Sequence, residues 1–239
     1  MPGSLTNRLK PLLRKAYVGA RFRGDAKKVK GFEEMRFWQG VAAGEGGVLR
    51  HSHFKPFFTT TFGLDDDFFA GRRMLDIGCG PRGSLEWATQ AAERVGLDPL
   101  VPQYRRLGID RHAMRYVASG AEEMPFPDGH FDIVSSLNSL DHVDDLDRTV
   151  AEIVRVLKPG GTFLLITDVN HDPTPTEPIT FSWDVVDLFA PSLVVTEQQH
   201  FEKPGEGVYQ SVAVGEPYDH NRPERRYGTL VARLQKESG

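Results

Sequence analysis

Residues 73–83 form a stretch with three glycines, and its residue types are the best suited in the chain to binding a ligand close to the backbone. Its sequence, Arg-Met-Leu-Asp-Ile-Gly-Cys-Gly-Pro-Arg-Gly, is a short apolar run that breaks into glycines. Because glycine lacks a Cβ atom, ligand atoms can lie against the backbone there. Asp76 would repel a phosphate and suit a cation, and Pro81 removes an amide donor that a phosphate needs. The stretch predicts a site for a cationic, phosphate-free ligand, although its glycine spacing also fits the weaker dinucleotide pattern and a plain strand–helix turn.

A second acidic residue follows the glycines at a fixed distance. Residues 94–98 predict a short strand that ends in Asp98, 20 residues beyond Gly78. A carboxylate at this point of an open α/β sheet can accept hydrogen bonds from both ribose hydroxyls of an adenosine. A helix cap is the alternative role for Asp98.

These motifs resemble those of the class I S-adenosylmethionine-dependent methyltransferases of the small-molecule type. Residues 75–80 are similar to the first motif of that family, 94–98 to the second and 137–143 to the fourth. Residues 155–161 are similar to a structural landmark of the same family. The resemblance covers about residues 74–168. It implies S-adenosyl-L-methionine as the cofactor and S-adenosyl-L-homocysteine as the product.

The resemblance also implies which residues hold the cofactor. In the family, the loop after the third strand contacts the adenine, and the fourth motif lies beside the transferable methyl group. The family often has Asp where this chain has Gly120, so the adenine contact is assigned to Glu122, to Glu123 or to the backbone alone. The predicted cofactor-binding residues are Asp76, Gly78, Cys79, Gly80, Gly83, Asp98, Pro99, Ala121, Glu122 and Asn138.

Methyl transfer to an alkyl or sugar hydroxyl group needs a general base within hydrogen-bond reach. Histidine is the natural base near neutral pH. We predict His171 as that base ahead of His142, with a structural role as the alternative for each. The predicted catalytic residues are His171, His142 and Asp141.

Two segments are predicted to contact the acceptor. Residues 169–178 hold three prolines and form a rigid loop at the carboxyl edge of the sheet, where active sites are built. Residues 31–70 are rich in aromatic side chains and by resemblance form a lid, or else they cap the sheet. The predicted substrate-binding residues are Trp38, His53, Asn170 and Glu177.

A metal site is considered and not predicted. His51, His53, His142, His171 and Glu177 could converge in space. No pair among them has a spacing diagnostic of zinc, and a His-x-His pair alone is weak evidence.

Composition limits the classes of protein to which the chain can belong. The chain has 239 residues, a formal net charge of −4 and a single cysteine, so an intrachain disulfide is excluded. No run approaches the roughly 18 apolar residues that a membrane span needs, and no secretory signal is evident, so we predict a cytoplasmic protein. Residues 1–40 hold ten Lys and Arg against three acidic residues. This basic arm leaves RNA open as an acceptor, but the overall acidic balance argues against nucleic acid.

The order of elements predicts an α/β fold. We expect a seven-stranded, mostly parallel sheet with helices on both faces. The resemblance implies that this sheet is Rossmann-like, that it ends in an antiparallel C-terminal hairpin strand and that an N-terminal helical lid precedes it. Residues 1–70 are assigned to a basic helical extension and lid, and 71–239 to the cofactor-binding domain. Helices are expected at 5–30, where glycines interrupt the pattern, and at 31–41, 84–88, 145–157 and 181–189.

The expected function is O-methylation of a small molecule or a saccharide unit. The first alternative is methylation of nitrogen or carbon, on a small molecule, RNA or protein. A second is a non-catalytic S-adenosylmethionine-binding partner protein, and a third is an NAD-dependent dehydrogenase. The sequence makes no prediction of oligomeric state.

Overall fold

The computed structural model describes residues 25–205 and 207–238. The predicted helical segment at 5–30 therefore lies almost entirely outside the described residues, as does most of the basic arm. The division of the chain at residue 70 stays a prediction.

A seven-stranded sheet with the order β3-β2-β1-β4-β5-β7-β6 forms the centre of the described chain. Its strands are β1 (Arg73–Ile77), β2 (Glu93–Leu97), β3 (Arg115–Val117), β4 (Phe131–Leu137), β5 (Leu157–Val169), β6 (Leu193–Glu202) and β7 (Gly228–Lys236). Strands β1 to β5 pair in parallel, and β7 runs antiparallel to both β5 and β6. The predicted Rossmann-like sheet with an antiparallel C-terminal strand is confirmed.

The helices lie between the strands and ahead of the first one. They are α1 (Ala26–Gly44), α2 (Lys55–Phe58), α3 (Asp66–Phe69), α4 (Val101–Tyr104), α5 (Leu146–Val156) and α6 (Val208–Val214). Short 3₁₀ helices occur at Thr60–Phe62, Arg105–Leu107, Ile109–Arg111, Leu140–His142 and Val185–Phe189. The side chain of Asp145 accepts the backbone N–H of Arg148 at 3.1 Å and so caps α5. Within the described residues, no helix combines the length and the apolar character that crossing a bilayer requires.

Two of the predicted helices are wrong in type or extent. Residues 84–88 form successive turns in which Glu86 N–H bonds to Gly83 and Ala88 N–H to Leu85, both at 3.1 Å. The Glu86 carboxylate is drawn instead to the backbone of Ala113 and Met114, at 3.0 and 2.7 Å. Of the helix expected at 181–189, only a 3₁₀ helix, Val185–Phe189, is present. It ends just before Pro191, as expected for the residues that precede a proline.

Apolar side chains cover both faces of the sheet. Leu75 and Ile77 of β1 point into the cluster that includes α5, while Met74 points into a cluster of aromatic side chains. This alternation is the ordinary result of the strand period of two. The aromatic cluster takes Phe54, Phe57, Phe58, Phe62 and Phe69 from the predicted lid. That part of residues 31–70 therefore caps the sheet, and the lid prediction now concerns α1.

Candidate active site

The carboxyl ends of the central parallel strands bring the predicted site residues to one edge of the sheet. Gly78 follows β1, Asp98 follows β2, Asn138 follows β4 and Asn170 follows β5. Asn138 and Asn170 adopt left-handed backbone conformations, with φ of 58° and 61°. Asparagine is among the few residue types besides glycine that adopt this conformation readily. Two parallel strands therefore turn sharply at the edge where ligands bind in such sheets.

The glycine loop packs directly against the turn that follows β4. Gly78 has φ of 65°, and a Cβ atom there would overlap the Cβ and Oγ atoms of Ser139. The Ser139 hydroxyl also donates to the carbonyl of Ile77 at 2.6 Å. A Cβ at Gly80 would lie 3.0 Å from the indole ring of Trp38 on α1. The loop is thus held between the β4 turn and α1, and glycine is required at position 78 by both conformation and space.

Asp76 is a fully buried carboxylate beneath the glycine loop. It accepts hydrogen bonds from the hydroxyls of Ser84 and Ser135, the second at 2.7 Å. Desolvation raises the pKa of Asp76 to about 6, against the opposing effect of these two hydroxyls. The carboxylate is therefore held in place by neutral donors, and its charge is not paired with a cation of the described protein.

Asp98 lies beside the same loop and is also buried. Its Oδ1 atom accepts the backbone N–H of Leu100 at 2.8 Å, and its Oδ2 atom accepts that of Gly80 at 3.2 Å. Burial raises the pKa of Asp98 to about 6, and the negative charge of Glu34 on α1 adds to the shift. Glu34 in turn accepts the indole N–H of Trp38 at 3.0 Å. The glycine loop is consequently surrounded by acidic groups, which favours a cationic ligand and disfavours a phosphate.

The remaining predicted cofactor residues differ in what they contact. The Oδ1 atom of Asn138 is buried without a hydrogen-bond partner among the described residues. Cys79 is buried where a Cβ at Gly96 would touch its Sγ atom, and burial raises the pKa of the thiol. Ala121 is buried, and Pro99 follows Asp98 directly. The Glu122 carboxylate accepts the backbone N–H of Asp144 at 2.7 Å, so it holds the turn before α5.

A second group of side chains gathers beyond Ser139. It consists of Asp141, His142, His171 and Glu177, and we call it the acceptor-side cluster. The Nε2 atom of His142 lies 3.7 Å from Oδ1 of Asp141 and 3.8 Å from Oε1 of Glu177. The Nε2 atom of His171 lies 3.4 Å from Oδ2 of Asp141. Three of the four were predicted from the sequence as catalytic residues, and Glu177 as a substrate contact.

The proline-containing loop folds back to complete this cluster. Asn170 N–H bonds to the carbonyl of Phe181 at 2.8 Å, and the Thr180 hydroxyl bonds to the carbonyl of His171 at 3.0 Å. Ile179 N–H reaches the carbonyl of Asp141 at 3.4 Å. These backbone contacts close the loop over the 3₁₀ turn at Leu140–His142, and so bring Glu177 next to a residue 35 positions earlier.

The charge of Asp141 dominates the electrostatics of the cluster. Its carboxylate raises the pKa of the His171 imidazole to about 9, against the effect of burial. The Nδ1 atom of His171 lies 3.0 Å from the carbonyl of Asp172, which fixes the ring so that Nε2 faces Asp141. Asp141 and His171 are therefore opposite charges in contact.

Several predicted residues have other surroundings. The ring of His53 packs against Phe54, with 4.5 Å between ring centroids. The Asn170 amide donates to the carbonyl of Arg226 at 3.2 Å. Trp38 lies over the glycine loop, on the side of the cofactor residues. The roles assigned to these residues in substrate binding stay predictions.

Some residues at this edge were not predicted from the sequence. Ser135 reaches Asp76 because β4 pairs with β1 in a register that sets the two residues side by side. Glu34 and Tyr104 approach Asp98 through the docking of α1 and α4. No sequence motif marks these contacts, since they depend on register and on packing between distant elements.

Residues 75–165 match the family described as "Methyltransferase domain". Curated relatives include sterol 24-C-methyltransferase erg6 of Aspergillus fumigatus, 30% identical over 60% of this chain and 39% of that protein. Ajmaline N-methyltransferase of Rauvolfia serpentina is 31% identical over 47% of this chain and 42% of that protein. The chloroplastic tocopherol O-methyltransferase of Arabidopsis thaliana is 30% identical over 47% of this chain and 35% of that protein. The chain thus matches less than half of the length of each of these relatives.

Solved structures share the fold at low sequence identity. An S-adenosylmethionine-dependent methyltransferase from Mesorhizobium loti superposes with a TM-score of 0.53 at 17% identity, covering 73% of this chain and 94% of that one. The [4+2]-cyclase SpnF superposes with a TM-score of 0.52 at 18% identity, covering 80% of this chain and 98% of that one. The family match and the fold together imply S-adenosylmethionine as the cofactor. Residues 75–165 thus form a methyltransferase domain, and the sheet that contains them has the class I methyltransferase fold.

Proposed function

We propose that the chain transfers a methyl group from S-adenosylmethionine to an oxygen atom of a small-molecule acceptor. The observation that carries this proposal is the pair of buried carboxylates, Asp76 and Asp98, on either side of the glycine loop. Their charges are held by neutral donors and have no cationic partner of the described protein, so a cationic ligand would be favoured there. A saccharide unit is one class of acceptor within this proposal.

The residues at this edge fit the cofactor. In this proposal Asp98 would accept hydrogen bonds from the ribose hydroxyls, and Asp76 would attract the positive end of the molecule. The buried Oδ1 atom of Asn138 lacks a partner and could accept a hydrogen bond from an amino group. A Cβ atom at Gly80 would intrude on the space between the loop and Trp38. These features suit a cationic nucleoside better than a dinucleotide, whose phosphates would face two buried anions.

When bound, the cofactor supplies a sulfonium methyl group, whose C–S bond breaks as the acceptor atom bonds to carbon, leaving neutral S-adenosylhomocysteine. The protein has to orient the acceptor in line with that bond and exclude water. The closeness of Ser139 to Gly78 brings the 3₁₀ turn Leu140–His142 to the glycine loop. The acceptor-side cluster would therefore border the methyl group.

A hydroxyl acceptor must lose its proton when the new C–O bond forms. The cluster contains two imidazoles whose Nε2 atoms are buried and lack hydrogen-bond partners among the described residues. We propose that His142 receives the proton, while Asp141 and the positively charged His171 orient the hydroxyl group. This cluster supports oxygen as the acceptor atom over carbon or nitrogen.

The test is a screen of the purified chain with methyl-labelled S-adenosylmethionine against phenols, alkyl alcohols and saccharides. We expect S-adenosylhomocysteine and an O-methylated product, with the methylated atom identified by nuclear magnetic resonance. Transfer to carbon or nitrogen would overturn the choice of oxygen and keep the methyl transfer. Binding of S-adenosylmethionine without turnover by any acceptor would favour the non-catalytic binding protein. Calorimetry should detect no binding of NAD.

A further inference from the structure

Asp141 is a buried carboxylate that the described protein leaves without a hydrogen bond. Its side chain is 1% exposed, and neither Oδ1 nor Oδ2 has a hydrogen-bond partner in the described parts of the chain. A carboxylate removed from water costs several kcal/mol unless an opposite charge and hydrogen bonds compensate it. The His171 imidazole faces Oδ2 at 3.4 Å, so Oδ1 is the oxygen that still needs a positive charge close to it.

The atoms around Asp141 are spaced like ligands of one metal ion. One atom each from Asp141, His142 and Glu177 all lie within 4.8 Å of one another. The separations of 3.7 Å and 3.8 Å from Nε2 of His142 are too long for hydrogen bonds. Two ligand atoms bound tetrahedrally at about 2.1 Å from one ion are about 3.4 Å apart. The two separations from His142 exceed this by a few tenths of an ångström, which small side-chain rotations can close, and the separation between the Asp141 and Glu177 oxygens is within 4.8 Å.

Few groups of the described protein bind to the three atoms that would bind the metal ion. The Oε2 atom of Glu177 accepts the hydroxyl of Thr174 at 3.3 Å, which leaves Oε1 turned toward His142. The ammonium of Lys30 bonds to the main-chain carbonyl of His142 and not to its ring. Across residues 25–205 and 207–238, no Lys or Arg forms an ion pair with Asp141 or Glu177. The positive charge that the two carboxylates need is not supplied by these basic residues.

We propose that Oδ1 of Asp141, Nε2 of His142 and Oε1 of Glu177 bind one divalent first-row transition-metal ion. One imidazole nitrogen and two carboxylate oxygens, without a thiolate, suit Zn²⁺, Mn²⁺ or Fe²⁺. Two carboxylates offset the charge of a divalent ion. His171 faces the other oxygen of Asp141 and orients the carboxylate, as partners of metal ligands commonly do. This inference departs from the sequence expectation of no metal, because residues 141, 142 and 177 meet only through the folded loop.

The ion would give the acceptor site a specific chemistry, and this step rests on the proposed methyl transfer. Three protein ligands leave coordination positions open, as in catalytic metal sites. A hydroxyl oxygen of the acceptor bound there would have a lowered pKa and would lose its proton to solvent before it bonds to the methyl carbon, since His142 as a metal ligand no longer accepts that proton. The acceptor class is thus a hydroxyl compound, favoured when a second oxygen next to it can chelate the ion.

Metal binding is tested directly, without S-adenosylmethionine or acceptor. The full chain, stripped with a chelator and desalted, is titrated with Co²⁺ by visible absorption and with Zn²⁺ and Mn²⁺ by calorimetry. We expect one ion per chain with micromolar or tighter affinity. We expect at least a tenfold weaker affinity in His142→Ala and in Glu177→Gln. Glu177 lies on a partly exposed loop, so the second variant is not expected to disturb folding.

The matched control is His130→Ala. His130 also faces a carboxylate, that of Glu93, but at the hydrogen-bond distance of 2.8 Å, so this pair is already satisfied. We expect the control to bind metal as the wild-type protein does. Absence of a single site in the wild-type chain, or equal affinity in wild type and Glu177→Gln, would overturn the proposal. Loss of binding in His130→Ala to the same extent would also overturn it.

Measurements of methyl transfer distinguish a failure of the metal-site proposal from a failure of the proposed function. We expect methyl transfer to a hydroxyl acceptor to fall at least tenfold after metal removal and to return when Mn²⁺ or Zn²⁺ is added. Methyl transfer that is unchanged by chelation overturns the metal-assisted step while leaving the proposed function standing. Metal binding with no methyl transfer to any acceptor rejects the proposed function and leaves the metal site standing.

Discussion

Two buried acidic sites lie along the same edge of the sheet, and they differ in the hydrogen bonds that their carboxylates accept. Around the glycine loop, Asp76 and Asp98 receive hydrogen bonds from serine hydroxyls and backbone N–H groups. In the acceptor-side cluster, Asp141 is buried as deeply but receives none from the described residues. The first site is organised by hydrogen bonds before any ligand arrives, whereas in the second Asp141 faces the His171 imidazole but accepts no hydrogen bond from the described residues.

Under the proposed function, the first site holds the cofactor and the second acts on the substrate, and the difference in hydrogen bonding suits these two roles. A site supplied with fixed donors keeps its geometry when empty and binds the same ligand in every turnover. A site with unpaired groups depends on what enters it, either an ion or an acceptor. The contact of Gly78 with Ser139 is where the two meet, since it joins the glycine loop to the turn that leads into Asp141.

The largest effect is expected from Gly78→Ala, at this junction. The substitution combines a left-handed backbone, which costs about 1–2 kcal/mol for a non-glycine residue, with an overlap on Ser139 that costs about 1–3 kcal/mol more. Urea unfolding should therefore show a loss of about 3 kcal/mol in the free energy of unfolding.

Gly46→Ala is the matched control for this loss. Gly46 has φ of 77° but no atom within 4 Å of its Cβ position, so only the conformational cost applies. Adding Ser139→Gly to Gly78→Ala removes the overlap and should recover part of the stability. Equal losses of unfolding free energy in Gly78→Ala and Gly46→Ala, with no recovery in the double variant, would show that the close contact between residues 78 and 139 adds no destabilisation.

The next effect concerns the pH dependence of stability at Asp98. Burial raises its pKa from the ordinary 3.8 to about 6, so the folded chain binds this proton more tightly than the unfolded chain. The resulting stability is fully present below about pH 4 and is lost as the pH rises through about 6. Asp98→Asn removes this dependence. Relative to the variant, the wild-type protein without cofactor should therefore gain about 2–3 kcal/mol between pH 7.5 and pH 4.

Asp132 provides a control of opposite sign. Desolvation of its carboxyl is outweighed by the backbone N–H of Arg73 and the ammonium of Lys158, which lower its pKa. Relative to Asp132→Asn, the wild-type protein should therefore lose stability as the pH falls through the lowered pKa. Urea unfolding at pH 7.5, 5.5, 4 and 3 measures both differences, because the one at Asp98 changes between pH 7.5 and 4 and the one at Asp132 changes below about pH 4. The contributions of the Asp76 carboxyl and the histidines are largely the same in wild type and variant, so they cancel. The same pH trend for both variants would contradict the burial of an unpaired charge at Asp98.

The sequence predicts the first of the two acidic sites better than the second. Asp76, the glycines and Asp98 belong to one strand–loop–strand unit, so a short motif is enough to bring them together. His142 and Glu177 are 35 residues apart and meet because the proline-containing loop closes by backbone hydrogen bonds, which no spacing rule encodes. The seven-stranded sheet was likewise readable from apolar runs. The turns at 84–88 were not, because the Glu86 side chain bonds to the distant backbone of Ala113 and Met114.

Cofactor affinity distinguishes the two sites more directly. Asp98→Ala would remove the proposed charge-assisted hydrogen bonds to the ribose and should weaken S-adenosylmethionine binding by roughly tenfold or more. Asp141→Ala removes a carboxylate that is equally buried but lies on the acceptor side, so the affinity should stay within about twofold of the wild type. Calorimetry with each variant provides the measurement. Similar losses in both would mean that the two carboxylates serve a single site.

The smallest effect is expected at Trp38, and it tests whether α1 acts as a lid. The Trp38 ring lies against Gly80, and its N–H is held by Glu34, so the helix covers the loop with an ordered aromatic surface. If that surface retains the cofactor, Trp38→Ala should speed its dissociation and weaken affinity severalfold, because buried apolar contact is lost. Phe37→Ala is the matched control, since Phe37 is the adjacent aromatic residue, edge-on to Trp38 and 59% exposed. Stopped-flow displacement of S-adenosylmethionine by S-adenosylhomocysteine gives both rates. Tighter binding in Trp38→Ala would mean that the indole competes with the cofactor for the space above Gly80, and that α1 must move away before the site can be filled.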